Sequence, residues 1–453
     1  MPAILRLACV CLWLAATPAW AQPVVHDGTL IAEIEDHPDK VVIRYYIERA
    51  DSSRVQVRGT PQLERHIGQR VRVTTSQPPA LAVGELAVEK IEALPLLPQL
   101  PRSRGEQRIL VMPVVFTNVG YPWDRSYLVT TMAQVDAYWR EGSFGQAWAT
   151  ATVTSPLSIA LTAANCNYWS IGPMAKAAAT AAGYALSNYD RYVYAFAGIG
   201  CYWYGMAEVG SWPSQVWIHN TTAFATFAHE LGHNLGLMHA HSATCFQRGP
   251  VCVNRADIYH SEYGDTFDVM GAGQGQHNAY KKARLAWLNA PGVPIVQEIT
   301  GPGVYTVDAY ATPAVANPKA LKFKYGPAGT FGNEEAWIYF EYRTAVGFDA
   351  FLSKPIYAQI PSGFLVHRGD EPQGIGQNYL FDMTPGSLPS TSQDFDDAAL
   401  AVGRSWTHEA SGLVFTTQAV TGMQATLLVS GGPATVPATP SGLTVAGSNH
   451  PGG

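Results

Sequence analysis

At 453 residues, with 47% hydrophobic and 14% charged side chains, the chain is too long for one ordinary domain and too apolar to be disordered. Two to four domains are expected. A formal net charge of -6, with no Lys/Arg run, excludes nucleic acid as the natural partner.

The first 21 residues carry the three parts of an export signal: Arg6, an apolar run over 7–16, and the small-x-small Ala19-Trp20-Ala21. Gln22 would begin the exported chain. The apolar run is too short to span a bilayer and is followed by Pro18, and no later segment reaches spanning length. A soluble protein without a membrane partner is expected, secreted and extracellular, or periplasmic in transit. Cys9 and Cys11 leave with the signal. The remaining Cys166, Cys201, Cys245 and Cys252 imply two disulfides in an exported chain. Of the three pairings, Cys245–Cys252, which closes a short loop, with Cys166–Cys201 is favoured.

Residues 22–104 read as a β-rich pro-region. Lys40-Val41-Val42-Ile43-Arg44-Tyr45-Tyr46-Ile47 and Arg70-Val71-Arg72-Val73 have strand composition. The stretch 94–105 holds Pro95, Pro98 and Pro101 and then Arg102 and Arg104, an extended processing target with a cut expected between Arg102 and Gly105.

A catalytic domain is expected over 105–291, of α+β class. Residues 109–116 suit a buried strand, and residues 125–141 a helix with Leu128, Met132, Val135, Tyr138 and Trp139 on one face. Residues 173–186 are Ala-rich and helical, and 192–196 form a further strand. The stretch 205–210 is the candidate sheet edge on which an extended substrate would add as a strand. Residues 292–431 alternate in a strand rhythm, as in Val304-Tyr305-Thr306-Val307, and predict an all-β domain of sandwich type. Residues 432–453 read as a linker and the truncated start of a fibronectin III-like module.

The chemistry concentrates in His229-Glu230-Leu231-Gly232-His233-Asn234-Leu235-Gly236-Leu237-Met238-His239. On a helix with Phe224, Phe227, Ala228, Leu231 and Leu235 as its apolar face, His229 and His233 lie one turn apart and can reach one metal. Asn220, Thr221 or Thr222 would cap that helix. Gly236 can end it in a left-handed turn, after which the chain bends back and delivers His239 as third ligand. Three histidines leave the fourth position of a zinc ion open, the mark of a catalytic site. Glu230 would act as general base on a zinc-activated water without being a ligand. A Glu ligand some twenty residues on has no support, because Cys252 and Val253 stand there. Met270, in Asp268-Val269-Met270-Gly271, would form an apolar floor under the histidines.

Other groups are weaker. His241, His260 and His277 lie nearby in sequence, and His241 could compete with His239. Asp257, Glu262, Asp265 and Asp268 could hold calcium only without a defined loop pattern, so loop hydrogen bonding is the expectation. Tyr263 and Tyr280 are candidates for polarising a substrate, each expected more as an ordinary packed or surface tyrosine.

Through the 229–239 motif, Glu262-Tyr263-Gly264-Asp265 before Met270, Asn278-Ala279-Tyr280-Lys281-Lys282 and Leu285-Ala286-Trp287-Leu288, the chain resembles the gametolysin-like (autolysin family) metallopeptidases of the metzincin group. Glu141-Gly142-Ser143-Phe144-Gly145-Gln146 is similar to the family's Ser-Tyr-Gly-Gln stretch. The resemblance spans about residues 105–290. It implies a metzincin-type zinc peptidase fold, a mixed sheet plus active-site helix, acting on extracellular proteins. Phe340-Glu341-Tyr342-Arg343 and Gly347-Phe348-Asp349 look like a region that follows the catalytic domain in related secreted peptidases. Two departures stand out. Ala272 occupies the place where some metzincins have a tyrosine, and the pro-region has no cysteine, which excludes a cysteine-to-zinc latency switch. The expectation is a secreted zinc metalloendopeptidase. The alternatives are a secreted adhesion protein with a vestigial zinc domain, and a zinc hydrolase of non-peptide amides.

Overall fold

The computed structural model describes residues 24–38, 40–59, 63–75, 85–94, 102–245, 249–252, 258–288, 295–312, 316–326, 335–371, 378–388 and 394–432. The export signal, most of the proline-rich linker, Asp257 and the fibronectin-like opening lie outside the described residues.

Strands β1 (Val24–Asp36), β2 (Val41–Glu48), β3 (Arg54–Arg58), β4 (Arg70–Thr75) and β5 (Leu86–Ala93) close on themselves, since β1 pairs β2 and β4, β2 pairs β3, and β5 joins β3 to β4. The result is a small barrel. In β4 the period-two pattern is plain: Val71 and Val73 point inward while Arg70 and Arg72 face solvent. Among the described residues, the barrel core of Leu30, Ala32, Ile34, Ile47, Val57, Val71, Val73 and Leu86 takes in only Val209 and Met238 from later in the chain.

Next come β6 (Gly105–Val115), α1 (Arg125–Gly142), β7 (Ala147–Val153), β8 (Leu157–Ser158), α2 (Tyr168–Ala181), β9 (Arg191–Phe196), β10 (Gly205–Val209), β11 (Ser214–His219) and α3 (Phe224–Asn234). Strands β11, β9, β6 and β7 run parallel, and β10 is antiparallel to β11. Helices cover both faces, so β9 is buried along its whole length. Ile109, Val111, Val193 and Ala195 pack with residues of α1 and α3, while Leu110, Met112, Tyr192 and Tyr194 pack with Ile171 and Ala175 of α2. The Ala-rich helix starts earlier than expected, at Tyr168, with Pro173 inside it. It stops at Ala181 because Gly183, at φ +92°, turns the chain out of the helix.

The remaining elements are β12 (Ala240–Cys245), β13 (Ile258–Ser261), α4 (Ala279–Arg284), β14 (Val296–Glu298), β15 (Gly303–Asp308), β16 (Ala320–Lys324), β17 (Glu335–Glu341), β18 (Gly363–Glu371), β19 (Asn378–Phe381), β20 (Leu400–Ala401), β21 (Ser405–His408), β22 (Leu413–Thr421) and β23 (Gln424–Gly431). The strands after residue 292 form two layers on one core, with Phe340 and Phe364 of one sheet against Phe415 and Leu427 of the other. The larger layer also takes β12 and β13, with β12 parallel to β19. The boundary expected at residue 291 is therefore crossed by a sheet, whose ladder supplies partners for the backbone that follows α3. Both expected disulfides, Cys166–Cys201 and Cys245–Cys252, are present.

Candidate active site

Helix α3 carries the motif. Its N-cap is Ala223, which offers no side chain; Thr221 Oγ1 accepts from the Ala223 N–H instead (3.0 Å), so none of the three expected residues caps the helix directly. Phe227, Ala228 and Leu231 anchor it in the core shared with α1 and the sheet. Gly236 adopts φ +98° with open space around it, so the requirement there is conformational rather than steric. The returning chain is pinned by Ala240 N–H to Met270 O (2.9 Å) and by the buried Lys281 ammonium, which donates to Met238 O and His239 O. Burial lowers the Lys281 pKa to about 8.

The three imidazoles are locked in one sense. His229 Nδ1 lies 2.7 Å from Val269 O, His233 Nδ1 2.8 Å from Leu237 O, and His239 Nδ1 2.8 Å from Glu262 Oε1. Each Nδ1 is thus the donor, which leaves the Nε2 lone pairs facing inward. The Nε2 atoms find no partner among the described residues other than the carboxylate of Asp36. That carboxylate lies 3.0 Å from His229 Nε2, 3.5 Å from His233 Nε2 and 2.9 Å from His239 Nε2. The four donor atoms fall within 4.8 Å of one another. Three imidazole nitrogens and one carboxylate oxygen are a donor set that zinc accepts.

Around this centre, Met270 is fully buried, and its sulfur is the atom that a side chain on Gly232 would strike, so the methionine lies against the helix between its two histidines. The Tyr263 ring sits 4.5 Å from that of His239, and its hydroxyl donates to Asp36 Oδ1 (3.0 Å). Tyr280 instead is buried against Tyr339 and the backbone of Gly369, away from the site. A cleft of about 380 Å³ opens beside the histidines, lined by Asp36, Tyr204, Gly205, His229, Glu230 and Tyr263 among others.

Glu230 is buried, and its Oε1 packs on Gly205 of β10 so closely that a Cβ there would lie 1.8 Å away. Burial, reinforced by Asp36 beside it, pushes the Glu230 pKa well above the carboxylate range. Burial also opposes charge on Asp36, but His239 and His229 outweigh it and hold that carboxyl well below its usual value. Burial disfavours charge on His233, whose pKa falls to about 4. At His239 the Asp36 and Glu262 carboxylates overcome it and raise the pKa to about 9. Gly205→Ala is expected to push the Glu230 carboxylate aside, lowering kcat by about 10²-fold, as sub-ångström misplacement of a reacting group does, with metal content unchanged. Steady-state kinetics with metal analysis checks this.

The remaining expectations resolve as follows. His241 does not compete with His239: it is buried, stacked on Tyr379 (5.2 Å), with Nδ1 3.6 Å from Glu262 Oε2. His260 is exposed on the edge strand β13, and His277 is buried and paired to Asp268 (3.2 Å). Asp265 and Asp268 are engaged in loop hydrogen bonds to Phe267 N, Met270 N and Asn278 N, and Glu262 orients His239. The candidate substrate edge 205–210 is a strand, but it is not free: β1 pairs along it. At the expected cut the backbone is held at Ser103 and Arg102. Ser103 is buried, its hydroxyl donates to Leu285 O, and its carbonyl accepts from Trp287 Nε1, while Arg191 holds Arg102 O. Arg102 on one side of Ser103 is exposed, and Arg104 and Gly105 on the other are half-buried.

Sequence reasoning missed Asp36. Its signal was faint: an acidic side chain at the end of a strand-like run, in Glu33-Ile34-Glu35-Asp36-His37-Pro38.

Residues 137–324 match the family described as gametolysin peptidase M11. A crystal structure of metalloproteinase-II from Bacteroides fragilis is similar over 57% of this chain and 78% of that one, at 9% sequence identity and a TM-score of 0.24. No curated protein matches the chain.

Proposed function

The chain is a gametolysin-like metallopeptidase over residues 137–324, and from that premise we propose that it is a secreted zinc endopeptidase that hydrolyses peptide bonds in extracellular proteins. The observation that carries this reading is the set of three buried imidazoles with every Nδ1 tied to an oxygen and every Nε2 turned to one point. His229, His233 and His239 would hold the ion. Zinc at that point supplies Lewis acidity, acidifying water and polarising the scissile carbonyl.

Glu230 supplies the proton chemistry. Its carboxylate lines the cleft next to the histidines and is not aimed at any hydrogen-bond donor through Oε2 among the described residues. It accepts the proton of the attacking water and returns it to the leaving amine. The amide edge of β10 would hold the substrate as an added strand. Such a site grips neither terminus, which favours internal cleavage. Two disulfides accord with an oxidising, extracellular destination, and no helix among the described residues is long and apolar enough to cross a membrane.

Purified, processed protein is expected to contain one zinc per chain and to cleave casein. Stripping the metal with 1,10-phenanthroline should abolish cleavage, and added zinc should restore it. His233→Ala should lose the metal. Full casein cleavage by the metal-stripped protein would refute the reading.

A further inference from the structure

Three contacts between the barrel of residues 24–93 and the peptidase body bear on the active site. The last five residues of β1 pair antiparallel with β10, from Ala32 opposite Val209 to Asp36 opposite Gly205. Since β11 holds the other side of β10, this pairing fills the ladder on which a substrate strand would dock. Arg54 reaches from the barrel to Glu208 of β10 (2.7 Å), a fully buried carboxylate, and also binds Glu33 and Glu48 (both 3.0 Å). Beyond both contacts, Asp36 enters the ring of histidines.

The Asp36 carboxylate faces the inner nitrogens of all three histidines, whose Nδ1 atoms are each tied to an oxygen. The ring centres lie 4.9, 5.2 and 4.9 Å apart. A divalent cation at the centre would take all four groups as ligands. The spacing agrees: tetrahedral zinc with bonds near 2.0–2.2 Å sets neighbouring donors about 3.3 Å apart, and Asp36 lies 2.9, 3.0 and 3.5 Å from the three Nε2 atoms. Tyr263 donates to the same carboxylate at 3.0 Å and fixes its orientation.

We propose that Asp36 is the fourth metal ligand of the uncleaved chain, so that residues 24–93 act as an internal inhibitor filling both the open metal position and the substrate ladder of β10. This inference rests on the zinc peptidase reading. It supplies the latency device that a cysteine-free pro-region leaves open. The barrel has a core of its own, so it seats as a unit. While the chain is continuous the barrel is held at an effective concentration on the order of millimolar. Hydrolysis of a peptide bond between Leu94 and Arg102 would remove that tether and let dilution release the barrel.

The test uses the full chain in a Glu230→Gln background, which prevents self-processing, with Asp36→Asn and Asp36→Ala as variants. Asp36→Asn keeps the size of the side chain and the β1 register, so it guards against a loss of folding in Asp36→Ala. The probe is a peptidic hydroxamate, a bidentate zinc binder. All three chains should hold one zinc. The Asp36 variants should bind the hydroxamate at least about 100-fold more tightly than the parent. In cobalt-substituted protein, the visible d–d absorption should change on losing the carboxylate, which a merely structural aspartate would not cause. Unchanged hydroxamate affinity and an unchanged cobalt spectrum in both variants, with metal retained, would overturn the inference alone. A parent chain that takes up no metal would overturn it together with the zinc reading.

Discussion

Replacing Glu230 by Gln in the processed enzyme is expected to lower kcat by about 10³-fold, within the 10²–10⁴ range of general-base effects, while one zinc per chain remains. The argument is one of position. Glu230 sits in the cleft wall against Gly205, beside the histidines but outside the set whose donor atoms converge. Glutamine keeps that shape but puts an NH2 donor where one accepting oxygen stood, which removes the base. Tyr263 cannot take over. A phenol is protonated near neutral pH, and burial pushes Tyr263 further upward, so it stays a donor. Zinc content by mass spectrometry and turnover of a quenched peptide check both halves. Loss of zinc would put the carboxylate among the ligands, and full turnover would place the base elsewhere.

What could be read from the sequence was what local geometry determines. His229 and His233 share a helix face because of the helical period, and Gly236 ends that helix because few other residues accept its backbone conformation. The turn through Met270 and the short Cys245–Cys252 loop are likewise set by neighbours in sequence. Asp36 escaped because its role is created by pairing β1 with a strand far along the chain, and no periodicity records that register. The same holds for Glu262. It read as a loop residue, and only the fold brings it to the outer nitrogen of His239. The helix cap was misread for a smaller reason: Thr221 stands two residues before the cap position, and the helix begins after Ala223.

The residues after 292 illustrate a third case, since their composition announced strands but not their purpose. Arg343 is fully buried, donating to Glu341 Oε1 and to Phe267 O, both at 2.7 Å, with Asp349 Oδ1 at 3.5 Å. The two carboxylates in turn accept from the backbone of the active-site loop: Glu341 from Ala279 N and Asp349 from Gln276 N. His367 joins through Asp265 (3.0 Å). The C-terminal sheet thus grips both ends of the segment that carries Met270 and precedes Lys281, the residue that fixes His239. Arg343→Met is expected to cost about 3–5 kcal/mol, because it strands two buried carboxylates rather than removing a favourable pair. Denaturant unfolding of the full chain measures this, and metal affinity should fall with it as the loop loosens. Adding Glu341→Gln and Asp349→Asn should recover part of the loss, since the uncompensated charge is then gone. A cost below about 1 kcal/mol for Arg343→Met, the size of a surface pair, would mean that the sheet and the active-site loop are not coupled through this cluster.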